Sequence, residues 1–434
     1  MQHVLVVDTD RRPCNPVAPG RARILLSRGK AAVLRRYPFT IVLKGRSAGE
    51  TQPLRLKIDP GSKQTGFALV NEITRKVVFA MVLTHRGQQI RNGLLSRKGI
   101  RRNRRNRKTR YRKPRFLNRM RKKGWLPPSL QHRVDTVTTW VSRLQRFAPV
   151  SALSTQLVKF DLQKMENPEI SGVEYQQGTL QGYEVREYLL EKWGRKCAYC
   201  GAENVPLQVE HIHPKAKGGS NRVSNLTLSC EVCNTEKGTQ PIEIFLKGRP
   251  LTLKRILAQA KAPLKDAAAV NATRWALYER LKDTELPVEA GSGGLTKFNR
   301  TRQGYGKGHW IDAACVGVSG ESVAIPVGMQ PLTVKATGHG SRLMTRVDKY
   351  GFPRQVSKKG GAVFGFQTGD IVKAAVPSGK YEGTHTGRVA VRARGSFVIA
   401  TSAGKIETGY KNCSLLHRKD GYNYGAHSPS NQVL

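Results

Sequence analysis

Two Cys-x-x-Cys pairs, Cys197-Ala198-Tyr199-Cys200 and Cys230-Glu231-Val232-Cys233, constrain this chain more than any other feature. Four thiolates at that spacing form a tetrahedral zinc site with no open position, so the Zn²⁺ is expected to be structural. The 29 residues between the pairs must return to their start, which predicts a small zinc-clasped, loop-rich module. Seven cysteines in 434 residues do not make a disulfide framework, and a reducing compartment is expected.

Inside the clasp the sequence reads Val209-Glu210-His211-Ile212-His213-Pro214-Lys215, then Gly218-Gly219-Ser220 and Asn225-Leu226, with Asn234 directly after the last cysteine. This text closely resembles the HNH nuclease motif, a ββα unit in which a histidine deprotonates water and one divalent ion stabilises the leaving group. The resemblance implies that His211 is the general base. It implies that Glu210 and Asn234 are oxygen ligands for Mg²⁺, a hard ion suited to them, and that Asn225 orients His211. His213 lies two residues on, which along a strand returns it to the face of His211. The family pattern, with the base directly after the acidic residue, favours His211.

Charge identifies the partner. Lys and Arg number 75 against 30 Asp and Glu, a formal charge of +45, which a compact chain resists through self-repulsion unless a polyanion neutralises it. No apolar run of membrane-spanning length, signal peptide or lipidation motif is evident, so no membrane is expected and the polyanion is nucleic acid. Between Arg97 and Lys123 stand sixteen Lys or Arg and no acid, interleaved with Tyr111 and Phe116. Like charges one turn apart oppose a helix in isolation, so this segment is expected to order on nucleic-acid phosphates, with contacts from Arg101, Arg102, Arg104, Arg105, Arg107, Lys108, Arg110 and Arg112. Pro114 ends or kinks it.

Elsewhere the pattern predicts an α+β module in residues 1–50, with a strand near Val4, a helix over 22–28 and strands near Val33 and Ile41. Leu54-Arg55-Leu56-Lys57-Ile58-Asp59 alternates with period two before the turn at Pro60-Gly61, which puts Asp59 at a strand end. Helices are predicted over 130–147, 183–193 and 271–282 and from His309 onward, a buried strand over 152–158, and a Gly-rich loop at 291–294. Beyond Thr333, short strands over 363–370, 387–392 and 395–400 predict a small antiparallel barrel of the SH3 or OB type.

Asp59 in Lys57-Ile58-Asp59-Pro60-Gly61-Ser62 looks like the first carboxylate of an RNase H-type fold as in RuvC nucleases. Gly308-His309-Trp310-Ile311-Asp312-Ala313-Ala314 resembles the third RuvC motif, with His309 and Asp312 one helical turn apart on one side. Two-metal phosphodiester hydrolysis needs several converging carboxylates. The second motif should offer a glutamate, but the matching text is Gln156-Leu157-Val158-Lys159-Phe160-Asp161. Gln156 keeps the shape and loses the charge, and Asp161 is too far along a strand to substitute.

The order of these parts resembles the IscB family of compact transposon-associated RNA-guided nucleases, relatives of the CRISPR type II effectors, over essentially the whole chain. Arg35-Arg36-Tyr37-Pro38-Phe39-Thr40 and residues 168–178 agree with it; the family's Pro-Leu-Met-Pro signature reads Pro16-Val17-Ala18-Pro19 here. The resemblance implies a multidomain α+β protein. Its parts would be an N-terminal module (1–50), a split RNase H-like (RuvC) α/β core (51–86, 126–185, 247–332), an arginine-rich bridge helix (87–125), an inserted zinc-bearing ββα HNH domain (186–246) and a C-terminal small β-barrel (333–434). It implies a monomeric, prokaryotic, cytoplasmic and nucleoid-associated protein loaded with a guide RNA, which reads double-stranded DNA by base pairing plus a short adjacent motif. HNH would use Mg²⁺ to cut the guide-paired strand, and the RuvC-like site, with Mg²⁺ on Asp59 and Asp312, would be weakened by Gln156 into a nickase. A guide-independent HNH endonuclease explains the cysteine module but not the arginine-rich segment. A non-catalytic RNA-binding protein explains the charge but not Glu210-His211 with Asn225 and Asn234.

Overall fold

The computed structural model describes residues 2–45, 51–106, 124–157, 183–261, 267–339, 348–349, 352–354, 361–401 and 403–426. The N-terminal module is a four-stranded sheet of order β2-β1-β4-β3, built from β1 (Val4–Val7), β2 (Pro13–Val17), β3 (Ala31–Arg35) and β4 (Thr40–Leu43), with helix α1 (Pro19–Ser27). Strand β2 was not foreseen: its two prolines break the hydrophobic pattern, and it sits at the edge, where a missing N–H costs nothing.

The next residues form the centre of the molecule. β5 (Leu54–Pro60), β6 (Gln64–Asn71) and β7 (Val77–Thr84) make an antiparallel meander, and all three are buried along nearly their whole length. Helix α2 (Gly87–Asn106) carries the start of the arginine-rich segment; Arg107, Lys108, Arg110 and Arg112 and the rest of the segment to Lys123 lie outside the described residues, as do Asp161 and 168–178. Helix α3 (Pro128–Phe147) buries Val134, Val137, Trp140, Val141 and Leu144, the helical spacing that fills one sheet face. β8 (Val150–Gln156) then pairs parallel to β5.

The chain leaves this sheet through α4 (Tyr183–Lys192), makes β9 (Leu207–His211), β10 (Leu226–Cys230) and α5 (Glu231–Lys237), and leads back through α6 (Ile242–Phe245), α7 (Pro250–Lys261) and α8 (Ala267–Lys282). β11 (Val288–Gly291), α9 (Gly293–Arg302) and α10 (His309–Ala314) follow. β11 pairs parallel to β8, and β12 (Leu332–Ala336) pairs parallel to β7. The central sheet therefore runs β11-β8-β5-β6-β7-β12-β18, where β18 (Tyr422–Ala426) comes from the end of the described chain. α3 and α8 cover one face, and α10 covers the other through Trp310, Ala313 and Ala314.

The C-terminal strands are β13 (Ile371–Val376), β14 (Gly383–Ala390), β15 (Ser396–Thr401), β16 (Gly404–Gly409) and β17 (Cys413–His417), in one antiparallel sheet of order β16-β15-β14-β13-β17. The strand expected at 363–370 is instead a turn between Val363 and Phe366. Among the described residues β16 and β17 stand at the edges of this sheet, and no strand pairing between them closes it into the small barrel expected from the sequence. The boundary at 333 also differs, because β12 and β18 belong to the central sheet; each is too short to stabilise itself and gains by extending a preformed edge. Asp420 fastens this end: it accepts from Arg35 (2.7 Å) and Arg143 (3.1 Å), while Tyr424 stacks on Tyr37 with centroids 4.5 Å apart. Burial pushes the Asp420 carboxyl up, but hydrogen bonds from His417 and Tyr424 and the Arg143 charge bring it down to about 2. Among the described residues no helix is long and apolar enough to cross a membrane.

Candidate functional site

The cysteine module folds around its sulfurs. The ligand atoms of Cys197, Cys200, Cys230 and Cys233 all lie within 4.8 Å of one another, and the Cys200 and Cys230 sulfurs are 3.7 Å apart. Zinc–sulfur bonds of about 2.3 Å in a tetrahedron require sulfur–sulfur edges of about 3.8 Å, so the donor set fits the ion. Burial raises the Cys197 thiol, but backbone N–H groups of Cys200, Cys230 and Tyr199 pull it down to about 7, which favours the thiolate a metal needs. Around this cluster pack Trp193, Leu207, Leu226, Leu228 and Ile242, a small core of the module's own.

β9 and β10 pair antiparallel with His211 opposite Leu226 and Glu210 opposite Thr227, and α5 leaves from Cys230, giving a ββα unit. Strand alternation puts Gln208 and Glu210 on one face, where α5 meets them. Asn234 donates to Gln208 Oε1 at 2.5 Å, and Lys237 Nζ donates to Glu210 Oε1 at 2.7 Å and to the His211 carbonyl at 2.9 Å. His211 Nε2 lies 3.0 Å from Asn221 Oδ1, an acceptor, which places the proton on Nε2 and leaves Nδ1 with its lone pair. β9 ends at His211, so His213 is in the following loop and not on the same strand face. Its ring meets the Lys217 carbonyl at 2.9 Å. Asn225 touches the backbone of His213 and not the ring of His211: it accepts from His213 N–H at 2.8 Å and donates to the His213 and Ser220 carbonyls.

Gln208, Asn221 and Lys237 were not singled out in the sequence, because an isolated Gln, Asn or Lys carries no motif. Lys237 is wholly buried. Removing one partner of a buried pair strands the other charge, so Lys237→Met is expected to cost the module about 3 kcal/mol. A lowered melting temperature of the zinc-loaded protein checks this, and an unchanged one refutes it.

The second constellation lies on the central sheet. Ile58 pairs with Thr155 and Gly291 with Gln156, so Asp59 and Gln156 emerge side by side at the ends of β5 and β8. α10 brings His309 and Asp312 over them. It can approach because β6 carries Gly66 at the contact: a Cβ there would sit 1.8 Å from the His309 carbonyl oxygen. Asp59, Gln156, His309 and Asp312 thus line one cavity of about 580 Å³, whose walls also carry Lys63, Arg195, Arg274, Lys297, Arg300 and Lys307.

His309 Nδ1 is 3.8 Å from Asp59 Oδ2, and Asp59 holds the imidazole above its ordinary range. Burial and the neighbouring Asp59 charge push Asp312 up to about 6, against Arg300, whose Nε is 3.2 Å from Asp312 Oδ1. With its amide nitrogen turned toward Asp59, Gln156 donates to Asp59 Oδ1 and accepts from Gly293 N–H at 3.3 Å. Two carboxylates, one carboxamide and an arginine already on one carboxylate do not fit a pair of divalent ions; they offer at most one such position.

A polar layer that the sequence did not announce supports this site from below. Lys57, wholly buried two residues before Asp59, donates to the Val316 carbonyl at 2.6 Å. Glu289 accepts from Ser154 at 2.6 Å and from Ser319 N–H at 3.0 Å, and Asn299 donates to the Cys315 and Gly317 carbonyls. These bonds fix the turn after α10, and hence Asp312, to β5, β8 and α9. Burial lowers Lys57 to about 7. Gly317 is required in that turn, with φ +73° and Glu289 Oε1 only 2.4 Å from where a Cβ would stand.

The sequence matches the family model described as RRXRR protein over residues 4–178 and the model described as HNH endonuclease over residues 197–240. Arg101-Arg102-Asn103-Arg104-Arg105 lies within the first of these. A search of curated proteins returned no match. Among solved structures, the type II-C Cas9 enzyme from Actinomyces naeslundii aligns at 18% identity over 42% of this chain and 26% of its own, with a TM-score of 0.16. Streptococcus thermophilus Cas9 in complex with the GGAA PAM aligns at 13% identity over 61% of this chain and 32% of its own, with a TM-score of 0.21. The chain thus spans about a quarter to a third of the length of those proteins. An RRXRR region followed by an HNH endonuclease module is what this chain carries.

Proposed function

We propose that this protein is an RNA-guided DNA endonuclease that nicks the guide-paired strand of a double-stranded target through its HNH module. The observation that carries the reading is the Glu210-His211 text on a ββα unit clasped by four cysteines, in one chain with an arginine-rich RRXRR region. The net charge of +45 supports a ribonucleoprotein with a large guide RNA, monomeric in protein. In that reading Arg101, Arg102, Arg104 and Arg105 of α2, and the basic residues beyond them, grip RNA phosphates. The work is done in the prokaryotic cytoplasm, at the nucleoid.

His211 takes the proton of the attacking water at Nδ1, since Asn221 holds Nε2 in its protonated form. Glu210 Oε2 and Asn234 Oδ1 are the oxygens left free by Lys237 and Gln208, and they suit one Mg²⁺. That ion, when bound, supplies Lewis-acid stabilisation of the leaving oxygen. Lys237 fixes the Glu210 carboxylate through its other oxygen, and Asn225 holds the loop on which the strand carrying His211 ends.

The sheet order, with a three-strand meander followed by two strands parallel to its first member, supports an RNase H-like core bearing a RuvC-type centre. Gln156 at its middle position supports a centre that does not cut the displaced strand.

The test is cleavage of a matched duplex by RNA-loaded protein in Mg²⁺, with each strand labelled separately. Only the guide-paired strand is expected to be cut, and His211→Ala is expected to slow that cut by about 10²–10⁴-fold while His213→Ala leaves most of it. Cutting that survives His211→Ala, or that needs no RNA, sinks the reading.

A further inference from the structure

The C-terminal sheet carries an aromatic pair that neither nuclease centre uses. Val363 N–H donates to the Phe366 carbonyl at 2.8 Å and Phe366 N–H to the Val363 carbonyl at 3.0 Å, closing a two-residue hairpin. Phe364 (φ +48°) and Gly365 (φ +81°) at its tip are both left-handed, the geometry of a type I′ turn. Glycine suits its place. A bulky aromatic in the first position is strained, where asparagine would be at ease, and such strain persists where the surroundings hold it for a purpose.

What that strain achieves is visible in the packing. The Phe364 ring lies flat on Tyr410, with centroids 3.9 Å apart and planes 6° from parallel, yet Phe364 stays 52% exposed, so its outer face is open. Tyr410 is anchored by Phe397 beneath it and by its own N–H to the Gly395 carbonyl at 2.9 Å. Gly395 (φ +87°) backs both rings so closely that a Cβ there would be 3.1 Å from each. The rim is cationic. Arg418, its side chain 63% exposed, donates to the Gly365 carbonyl at 2.6 Å, and exposed Arg394 and Lys411 adjoin Gly395 and Tyr410 in sequence. Of the nearby carboxylates, buried Asp370 accepts from the Gln367 and Lys419 N–H groups and lies 3.6 Å from Arg418 Nη1, and Glu407 is paired with Arg392.

We propose that the Phe364–Tyr410 stack is a platform for one unpaired base of RNA, stacked on the open face of Phe364 with its flanking phosphates on Arg418, Arg394 and Lys411. The proposal rests on the nucleic-acid-binding reading above. A base within a duplex offers only its edges, so the occupant is unpaired, and loops and bulges of a large RNA present such bases.

The experiment measures binding of a short fluorescent single-stranded RNA to the full-length protein by anisotropy across a salt series, with duplex RNA and single-stranded DNA alongside. Phe364→Asn creates the Asn-Gly turn that type I′ geometry prefers, so the melting temperature should hold or rise. Single-stranded RNA binding should nevertheless weaken about tenfold, with the salt dependence unchanged because no phosphate contact is lost. Phe364→Trp should bind like the wild type, and duplex RNA should not distinguish the variants. Equal binding by Phe364→Asn, or an equal loss on duplex RNA with a lowered melting temperature, overturns the platform. A loss on DNA but not RNA overturns the choice of occupant. A wild-type protein that binds no RNA would bring down the RNA-guided reading itself together with the platform, which separates the two failures.

Discussion

Gln156→Glu is expected to switch on cleavage of the displaced strand. The position is already correct: strand pairing sets residue 156 beside Asp59, and α10 places Asp312 and His309 over both. On the proposed reading, what the position lacks is charge. The neutral amide donates to Asp59 in the place where a cation would sit, and it holds itself there through Gly293 N–H. A glutamate cannot donate, so it must either repel Asp59 or share a metal ion with it. An anionic ligand that lets the site hold a cation able to stabilise a developing phosphorane by several kcal/mol should raise second-strand cutting by about 10²–10³-fold. Mn²⁺ affinity, followed by water proton relaxation, should rise in parallel.

The pH dependence of this gained activity has a definite sign. Asp312, raised to about 6, must be ionised to bind a cation, so the new cut should fail as pH falls through that value and strengthen above it. A third carboxylate moves the midpoint further up, and bound metal moves it down. If the wild type already cuts both strands, or Gln156→Glu gains neither metal nor activity, then charge at position 156 is not what limits this centre. Arg300, already paired with Asp312, would then be the next group to remove.

The second large effect concerns zinc. A structural zinc contributes about 10–16 kcal/mol to the folding of a small domain, as much as the ~5–15 kcal/mol that holds a typical domain together. The module's apolar core is built directly around Cys197, Cys230 and Cys233, so chelation or Cys233→Ser should unfold it and abolish target-strand nicking. The central sheet, whose core is separate, should keep its melting transition. Metal analysis should find one zinc per chain in the wild type and none in the variant. A Cys233→Ser protein that still nicks, or a wild type without zinc, would remove the clasp from the account. Acid should release the ion before it unfolds the rest, since protons compete for the sulfurs and burial with the neighbouring sulfurs pushes Cys233 up.

Much of this was legible in the sequence because the signals are local. The Cys-x-x-Cys pairs, the Glu210-His211 text and the one-turn spacing of His309 and Asp312 depend on neighbours along the chain, and a strand or helix alone fixes their relative direction. The alternation of Leu54 to Asp59 foretold both the strand and the placing of Asp59 at its end. The C-terminal strands were harder to read. The run at 363–370 has the composition of a strand, but Phe364 and Gly365 both take left-handed backbone, which composition does not encode for phenylalanine.

What only the tertiary structure decided are the pairings between residues far apart in the chain. Lys237 reaching Glu210, Lys57 reaching Val316, Gln156 lying against Asp59, and β12 and β18 leaving the C-terminal unit to extend the central sheet all join segments separated by many residues. Single residues of these types carry no motif, and their roles arise when burial removes water and leaves each polar group to find a partner within hydrogen-bond reach. The sequence by itself determined which chemistries this protein carries, through residues whose spacing is local. The tertiary structure decided which charges neutralise one another, because the cost of an unpaired buried charge is set by the packing around it.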